Sequence, residues 1–345
     1  MNVAPTTQSG QVTFILTNYN HSLFLGQALE GALHQIRPAD KFIIIDDGST
    51  DNSLDIIYEK TRHCSYVEVI QHTQNKGCIA RLNEGLARAE TEFVSFLAAD
   101  DVLDQHFLEN HLNLLCQFPQ APFGSGACHI IDKEGHKIGM RPLFFPSVRS
   151  GFISSPEVKT LLRSCDNFLW GPGALFRRDF ILALGGFNSS LNSLTDGMLM
   201  RHLALEHGFC FFPKALASWR FSKENGSVKS IMEEVYVEAL IKNAKNYIAT
   251  QKIDLFPPNY ASLLERRLRF GSVRLQIMTA SSLDHLLLRK IFSTLHTESL
   301  NNVGVSLFAA IWTPLAKIFL LLYTFCCTRP FKISALIKAF LRRAC

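Results

Sequence analysis

Short apolar runs and helix-type repeats alternate along the first hundred residues, and this alternation constrains the fold more than any other feature of the chain. The runs rich in β-forming residues are Val12–Tyr19, Phe42–Asp46, Val67–Ile70 and Phe93–Leu97. Helical patterns separate them, as between Leu25 and Leu33, where leucine recurs every four residues. The order predicts an α/β fold with an open, mostly parallel central sheet and helices on both faces.

Polar residues at the ends of these strands are the first candidates for a functional site. In open parallel sheets, ligands bind outside the carboxyl ends of the strands. Three polar segments lie at such ends, namely Thr17–Asn20, Asp46–Ser49 and Asp100–Asp101. Asn20 is also expected to cap the helix that follows it.

The segment Asp46–Ser49 combines two adjacent carboxylates, a glycine and a hydroxyl. These groups can close on a polar ligand without steric bulk, although Asp-Gly-Ser is also ordinary turn chemistry. The aspartate-nucleophile phosphatase pattern DxDGT would need an aspartate at position 45. The chain has Ile45 there, so that class of enzyme is excluded.

Asp100 and Asp101 are a second pair of adjacent carboxylates. Neighbouring carboxylates repel each other, and a divalent cation relieves the repulsion. Mg²⁺ typically takes one or two protein carboxylates and completes its shell with phosphate and water. The alternative is a simple cap for the next helix. Two acidic strand ends in one sheet favour the metal–phosphate interpretation.

Beyond residue 102 the regular alternation ends. The predicted elements are a helix over Gln105–Phe118, a strand over Phe123–Ile131, a hairpin at Lys133–Lys137, a helix near Asp179–Leu184 and a helix over Asp196–His207. A stretch rich in glycine and proline surrounds Trp170–Gly173. Residues 226–300 have helical patterns, so we expect a main domain over 1–225 and a helical extension over 226–302.

The net charge lies at the C-terminal end. The 35 basic and 30 acidic residues give +5, and all of this excess falls within the last 18 residues. A neutral body predicts no nucleic-acid partner, which would need a broad basic face. The preceding segment 303–327 is apolar except for Lys317, and its uncharged runs are short for a simple span. We expect 303–345 to be a membrane-associating segment; the alternative is a buried helix with a solvated tail.

The cysteines indicate a reducing compartment. There are nine, with no CxxC pair, which argues against a disulfide framework and against a zinc site. Cys64, Cys78, Cys116, Cys128 and Cys210 are expected to be small buried residues. The polar N-terminus lacks the pattern of a signal peptide. These observations predict a cytoplasmic protein, peripheral on the inner face of the cell membrane.

Six motifs follow one another along residues 10–225. They are VTFILTNYNHSLFLGQALEGALHQ, KFIIIDDGSTDNS, NKGCIARLN, FVSFLAADDVL, ALFRRDFILALGGFN and Thr195–Asp196. This ordered set resembles the family 2 glycosyltransferases. The resemblance implies the Rossmann-like GT-A fold and the transfer of a sugar from a nucleotide-diphosphate donor to a hydroxyl of a glycan or glycolipid acceptor. It also implies Mg²⁺ or Mn²⁺ as cofactor, and one displacement with inversion.

The resemblance further implies roles for individual residues. The expected donor-binding set is Thr17, Asn20, Asp47, Gly77, Arg81 and Asp100. Thr17 and Asp47 match positions that hold the nucleobase, and Arg81 matches one where a basic residue approaches the nucleotide. Asp100 and Asp101 are expected to bind the metal, and Asp196 is expected to be the catalytic base. Trp170 and Gly171 match the acceptor-side segment, where an aromatic ring can stack on a sugar.

Three positions depart from the family pattern. Ala98 replaces the first aspartate of the metal-binding DxD element, Thr195 replaces a frequent glutamate, and Ser222 stands near the place of a metal-binding histidine. A catalytically degenerate nucleotide-sugar-binding protein therefore stays open as an alternative. A nucleotidyltransferase is disfavoured, because TNYNHS stands where that class has a glycine-rich basic loop. The preferred hypothesis is a glycosyltransferase of surface polysaccharide or glycolipid synthesis.

Overall fold

The computed structural model describes residues 10–142, 144–222 and 226–280, together with single residues between 287 and 325. The chain divides into two compact units, whose described parts are 10–159 with 167–221, and 160–166 with the residues from 222 onward. Most of the segment 303–345, on which the membrane prediction depends, lies outside the described residues. Within the described part, no helix has both the length and the apolar character that crossing a membrane requires.

The first unit begins with the alternation that the sequence predicts. Its elements are β1 (Val12–Asn18), α1 (Ser22–Leu33), β2 (Lys41–Asp46), α2 (Ser53–Thr61), β3 (Val67–Gln71), α3 (Cys78–Arg88) and β4 (Phe93–Ala98). The strands lie side by side in the order β3-β2-β1-β4, and all three pairings are parallel. Phe42 to Ile45 in β2 are completely buried, as expected for a strand covered on both faces.

The chain then adds β5 (Val102–Leu103), α4 (Phe107–Leu115), β6 (Phe123–Ile131), β7 (Lys137–Arg141), β8 (Gly151–Ile153), α5 (Ser155–Leu162), β9 (Ala174–Arg177), α6 (Arg178–Ala183), a 3₁₀ helix (Ser189–Leu194), α7 (Thr195–His207) and β10 (Phe209–Arg220). The sheet continues from β4 through β9, β6, β10 and β5, with β7 on β6 and β8 on β10. In this half only β6 and β10 pair in parallel. The described strands thus form one mixed sheet of ten.

A glycine brings α3 close to the first strand. A Cβ atom built on Gly85 would overlap Ile15 Cγ2 and would stand 3.3 Å from Ile45 Cδ1. No larger residue fits here without a shift of the helix, because the neighbouring atoms belong to a closely packed core. The short separation places the N-terminus of α3 beside the carboxyl end of β1, where Thr17 lies.

The second unit is helical where the sequence predicts helices. It contains α8 (Gly226–Ile231), α9 (Glu234–Ala249) and α10 (Tyr260–Thr279). The buried carboxylate of Asp166 accepts a hydrogen bond of 3.1 Å from the Tyr260 hydroxyl and forms an ion pair of 2.6 Å with Arg267 Nε. A charge buried in this way is stable only with such partners.

Candidate active site

Asp46 organises the ends of β1 and β2. Its Oδ2 atom accepts hydrogen bonds from Asn18 Nδ2 at 2.7 Å and from Ser49 Oγ at 2.6 Å, and its Oδ1 atom accepts one from Ser49 N at 2.9 Å. The carboxylate is fully buried. Asp46 therefore holds the Asp-Gly-Ser turn against the neighbouring strand.

Asn20 lies at this edge of the sheet, as predicted, but it does not cap α1. Its backbone is in the left-handed region with φ of 55°, and its Oδ1 atom accepts a hydrogen bond of 2.8 Å from Thr50 N. The residue at the N-cap position is His21, whose side chain makes no capping bond within the described residues. The predicted cap is wrong because the Asn20 amide binds the turn after β2 instead.

Asp47 binds the loop that leads into α3. Its carboxylate accepts hydrogen bonds from Lys76 N at 3.0 and 3.1 Å and from Gly77 N at 2.8 Å. Gly77 has φ of 90°, a conformation that L-residues with side chains rarely adopt. The turn therefore presents two successive amides to one carboxylate.

Arg81 extends the network around Asp47. Its Nε atom donates to Asp47 Oδ1 at 2.5 Å, Nη1 to Glu84 at 2.9 Å and Nη2 to the Gln74 carbonyl at 3.1 Å. The Arg81 side chain is 5% exposed. The structure thus places Arg81 directly behind Asp47, with a protein contact on each guanidinium nitrogen.

Cys78 lies where the predicted site residues converge. Its Sγ atom is 3.4 Å from Thr17 Oγ1. The residue is exposed, yet surrounding protein raises the pKa of the thiol, and the charges of Asp196, Asp47 and Asp100 raise that pKa further. The exposed surface at Cys78 therefore lies within electrostatic reach of three carboxylates, and we call this surface the recess.

The prediction that Cys78 is a buried apolar residue is therefore wrong. Cys116 is also exposed, whereas Cys128 and Cys210 are buried as predicted. Cys78 is the first residue of α3, so no preceding turn of the helix covers its side chain. The apolar residue type alone does not indicate this exposure at a helix start.

Asp100 and Asp101 follow β4, and β10 holds them from the other side. Asp101 Oδ1 accepts a hydrogen bond of 3.0 Å from Arg220 N, and the Asp100 carbonyl accepts one of 3.0 Å from Arg220 Nε. Burial raises the pKa of Asp101, and the adjacent charge of Asp100 raises it further. A divalent cation would remove this repulsion, so the pair of carboxylates fits Mg²⁺ or Mn²⁺.

Asp196 lies in the first turn of α7, where the helix dipole stabilises a negative charge. Its Oδ1 atom accepts a hydrogen bond of 2.6 Å from Gly197 N. A Cβ atom built on Gly171 would overlap Asp196 Oδ2. The preceding Thr195 is buried, and its hydroxyl has no hydrogen-bond partner among the residues that the structure describes.

Asn83 connects α3 to the segment that leads into α7. Its Nδ2 atom donates to the Phe187 carbonyl at 2.9 Å, and its Oδ1 atom accepts from Phe187 N at 2.8 Å. Gly186, with φ of 83°, allows the approach, since a Cβ there would stand 2.6 Å from Asn83 Oδ1. The helix that carries Cys78 is thus bonded to the chain that precedes Asp196.

Trp170 packs against protein on two sides. Its ring meets the Trp219 ring edge-on, with centroids 5.5 Å apart, and the Arg141 guanidinium carbon lies 5.8 Å from its centroid. These contacts cover part of the Trp170 ring, which the resemblance predicts to stack on a sugar.

A group that the sequence analysis missed lies on the hairpin between β6 and β7. The ligand atoms of Asp132, Glu134 and His136 fall within 4.8 Å of one another. Asp132 already accepts a hydrogen bond of 2.8 Å from His136 N, which shapes the turn. Exposed acidic groups of this kind are common without an ion, so Asp100 and Asp101 stay the preferred metal residues.

A family model described as glycosyl transferase family 2 matches residues 13–183. The chain belongs to glycosyl transferase family 2. This finding confirms the resemblance that the six motifs indicate. Among relatives of this family 2 chain, a poly-beta-1,6-N-acetyl-D-glucosamine synthase of Staphylococcus epidermidis is 37% identical over 93 residues, or 27% of this chain and 22% of the synthase. The chain spans between about a fifth and about half the length of the curated relatives that it matches.

Two solved structures resemble the family 2 chain over most of their length. S. aureus TarS 1–349 in complex with UDP-GlcNAc has a TM-score of 0.56 at 15% identity, covering 92% of this chain and 91% of that one. Mannosyltransferase PcManGT from Pyrobaculum calidifontis in complex with GDP-Man and Mn²⁺ has a TM-score of 0.55 at 18% identity, covering 99% and 90%. At these identities the likeness shows the fold, which is GT-A, as predicted.

Proposed function

We propose that this family 2 chain transfers a sugar from a nucleotide-diphosphate donor to an acceptor hydroxyl. The observation that carries the proposal is the surroundings of Cys78, whose thiol senses the charges of Asp47, Asp100 and Asp196. Asp47 follows β2, Asp100 follows β4 and Asp196 lies in the first turn of α7. Three distant parts of the sequence therefore contribute to the surroundings of the recess. The two similar structures are complexes with UDP-GlcNAc and with GDP-Man, which makes such donors the first to test.

The donor side of the proposed site comprises Thr17, Asn20, Asp47, Gly77, Arg81 and Asp100. Asp100 and Asp101 would hold Mg²⁺ or Mn²⁺, which when bound supplies positive charge to the leaving diphosphate. The raised pKa of Asp101 supports this assignment, because two desolvated carboxylates need a cation. The presence of Mn²⁺ in the PcManGT structure is consistent with it.

Asp196 is proposed as the general base. It would take the proton of the acceptor hydroxyl while that oxygen bonds to the anomeric carbon. The bond from this carbon to the diphosphate oxygen breaks at the same time, and its electron pair leaves with the diphosphate. Attack from the side opposite the leaving group inverts the anomeric configuration. The resemblance assigns Gly171 to the acceptor-side segment. The Asp196 carboxylate lies directly against Gly171, and this closeness supports the role.

The acceptor is proposed to be a glycan or glycolipid of surface polysaccharide synthesis. The name of the S. epidermidis relative, a polysaccharide synthase, supports this pathway class. We further propose a glycosyltransferase domain over 1–225, a helical extension over 226–302 and contact of 303–345 with the inner face of the cell membrane. The basic residues of the tail support that contact. Co-flotation of the full chain with anionic vesicles, lost on deleting 303–345, would test it; no flotation would contradict it.

A donor screen tests the proposed activity directly. The purified full chain is incubated with UDP- and GDP-sugars, including UDP-GlcNAc and GDP-Man, with Mn²⁺ or Mg²⁺, and release of nucleoside diphosphate is measured. We expect release from one donor class, and its loss on chelation. The departures at Ala98 and Thr195 favour one alternative, a degenerate binding protein. Tight donor binding without release, with or without oligosaccharide acceptors, would support that alternative and contradict the proposal.

A further inference from the structure

We infer that Arg220 is the positioning residue of the Asp100–Asp101 pair and sets how tightly that pair binds a divalent cation. The inference rests on the proposed function, which assigns the metal to these two aspartates. The sequence motifs assign no role to Arg220.

One residue holds both aspartates through different atoms. The Arg220 side-chain Nε donates to the Asp100 carbonyl at 3.0 Å, and the Arg220 main-chain N donates to Asp101 Oδ1 at 3.0 Å. The antiparallel pairing of β10 with β5 leads into these bonds, since Ser218 lies opposite Val102. The first bond fixes the main chain of the pair, and the second fixes the direction of one carboxylate.

The guanidinium is itself held firmly on its far side. Its Nη1 atom donates to the carbonyls of Asp132 and Lys133, both at 2.9 Å, and its Nη2 atom donates to Gln27 Oε1 at 2.6 Å. Its carbon lies 4.5 Å from the centroid of the Phe24 ring, a cation–π contact. Arg220 therefore joins α1, the turn after β6 and the turn after β4 at one point.

The burial of Arg220 makes this arrangement rigid. The residue is 1% exposed. An arginine charge at such a position is stable only when its donors are satisfied, so the carbonyl partners cannot move away at low cost. Lysine cannot replace it, because an ammonium group lacks the planar fork that reaches several carbonyls at fixed angles. Arg220→Lys thus keeps the charge and removes the geometry.

Arg177 offers a matched control in the same unit. It is partly buried and pairs with Glu92. Its Nη2 and Nε atoms donate to the carbonyls of Leu115 at 3.0 Å and Ala121 at 3.2 Å, and it lies over the Phe93 ring at 4.6 Å. It has the same kind of contacts as Arg220 but belongs to a different set of elements. Arg177→Lys should therefore reproduce the loss of stability and leave the metal pair unchanged.

The experiment measures Mn²⁺ binding directly, independent of turnover. Free Mn²⁺ is titrated by electron paramagnetic resonance against the full chain, with UDP or GDP present, and thermal unfolding is recorded in parallel. Residues that orient metal ligands typically contribute about 10–100-fold to metal affinity. We expect Arg220→Lys to weaken Mn²⁺ binding by about tenfold or more, whereas Arg177→Lys binds Mn²⁺ like the wild type.

The outcomes separate the inference from the proposed function. If the wild type binds Mn²⁺ and a folded Arg220→Lys variant binds it equally well, the inference is wrong and the metal assignment stands. If the wild type binds no Mn²⁺ with either nucleotide, both are wrong. If Arg220→Lys fails to fold, the Gln27→Ala variant tests the inference instead. Gln27 is exposed, and its replacement by alanine removes only the acceptor of the Arg220 Nη2 hydrogen bond. Weaker Mn²⁺ binding in Gln27→Ala supports the inference, and unchanged binding overturns it.

Discussion

Asp196 Oδ2 occupies the space that a side chain on residue 171 would need, so the glycine at 171 and the carboxylate at 196 are structurally dependent on each other. A Cβ built on Gly171 would also stand 3.3 Å from Asp196 Cγ. The φ angle of Gly171 is not positive, so glycine is required here by the contact with the Asp196 carboxylate and not by the backbone conformation.

The first prediction follows from this contact. Gly171→Ala should displace the Asp196 carboxylate, lower the rate of sugar transfer and leave the affinity for nucleoside diphosphate near the wild-type value. Gly151→Ala is the matched control, because no described atom lies within 4 Å of a Cβ at that position. Rates and calorimetric affinities are compared for both variants. Transfer at the wild-type rate by Gly171→Ala would contradict the proposed position of the base.

The second prediction concerns basicity at position 196. Asp196→Asn keeps the volume of the side chain and removes its capacity to accept a proton, so turnover should fall by about 10²–10⁴-fold. Donor affinity should be retained. Asp179→Asn, at an exposed aspartate in the first turn of α6, is the control and should keep wild-type turnover. An active Asp196→Asn enzyme would require a different base.

The third prediction uses the thiol in the recess. N-ethylmaleimide should modify Cys78 slowly, because the raised pKa keeps the thiol protonated at neutral pH. Bound donor should slow this modification further by covering the recess. Cys116, which is exposed at the C-terminal end of α4, provides an internal control and should react equally with or without donor. Mass spectrometry of each site over time measures both rates. Equal rates at Cys78 in the two conditions would place the donor elsewhere.

The fourth prediction concerns stability in acid. His111 is completely buried between the Phe107 and Phe212 rings, and burial lowers its pKa to about 4. The folded state keeps the imidazole neutral, whereas the unfolded state takes up a proton below about pH 6.5. This group therefore lowers the free energy of unfolding as the pH falls from about 6.5 towards 4, by roughly 2 kcal/mol at about pH 5.

Denaturant unfolding at about pH 7.5 and about pH 5 tests the sign. The loss of stability between the two pH values should be smaller in His111→Gln than in the wild type. His63→Gln, at an exposed histidine, should keep the wild-type loss. A pH dependence that His111→Gln leaves unchanged would show that other groups carry it.

The sequence predicts the parallel half of the sheet because β1, β2 and β4 are nearly continuous, mostly buried apolar runs, and the edge strand β3 is a short run of β-forming residues. It does not predict β5, β8 and β9, which have two, three and four residues and leave no periodic pattern. The sequence analysis also names no strand at β10, which has twelve residues. The short strands and the β6–β7 hairpin make the second half mixed. Their positions depend on pairing with β4, β6 and β10, which are distant in sequence.

In the site, too, residues in local motifs can be predicted from the sequence, whereas contacts between distant residues cannot. The strand-end aspartates can be found from sequence, but Asp46 and Asp47 look equivalent there and differ completely in their partners. Arg220 could not be found, since Gln27, one of its partners, is 193 residues away. Nothing in a local pattern links residues at that separation.

The paired hydrogen bonds between Asn83 and Phe187 have an evolutionary consequence. They fix the chain entering α7 to the helix that begins at Cys78, and they do so without using any residue of the loops between β7 and β9. Outside Gly171, insertions, deletions and substitutions in those loops can therefore reshape the proposed acceptor surface while the spacing between Cys78 and Asp196 is inherited unchanged. A lineage that needs a new acceptor can vary one part of this protein and keep the other.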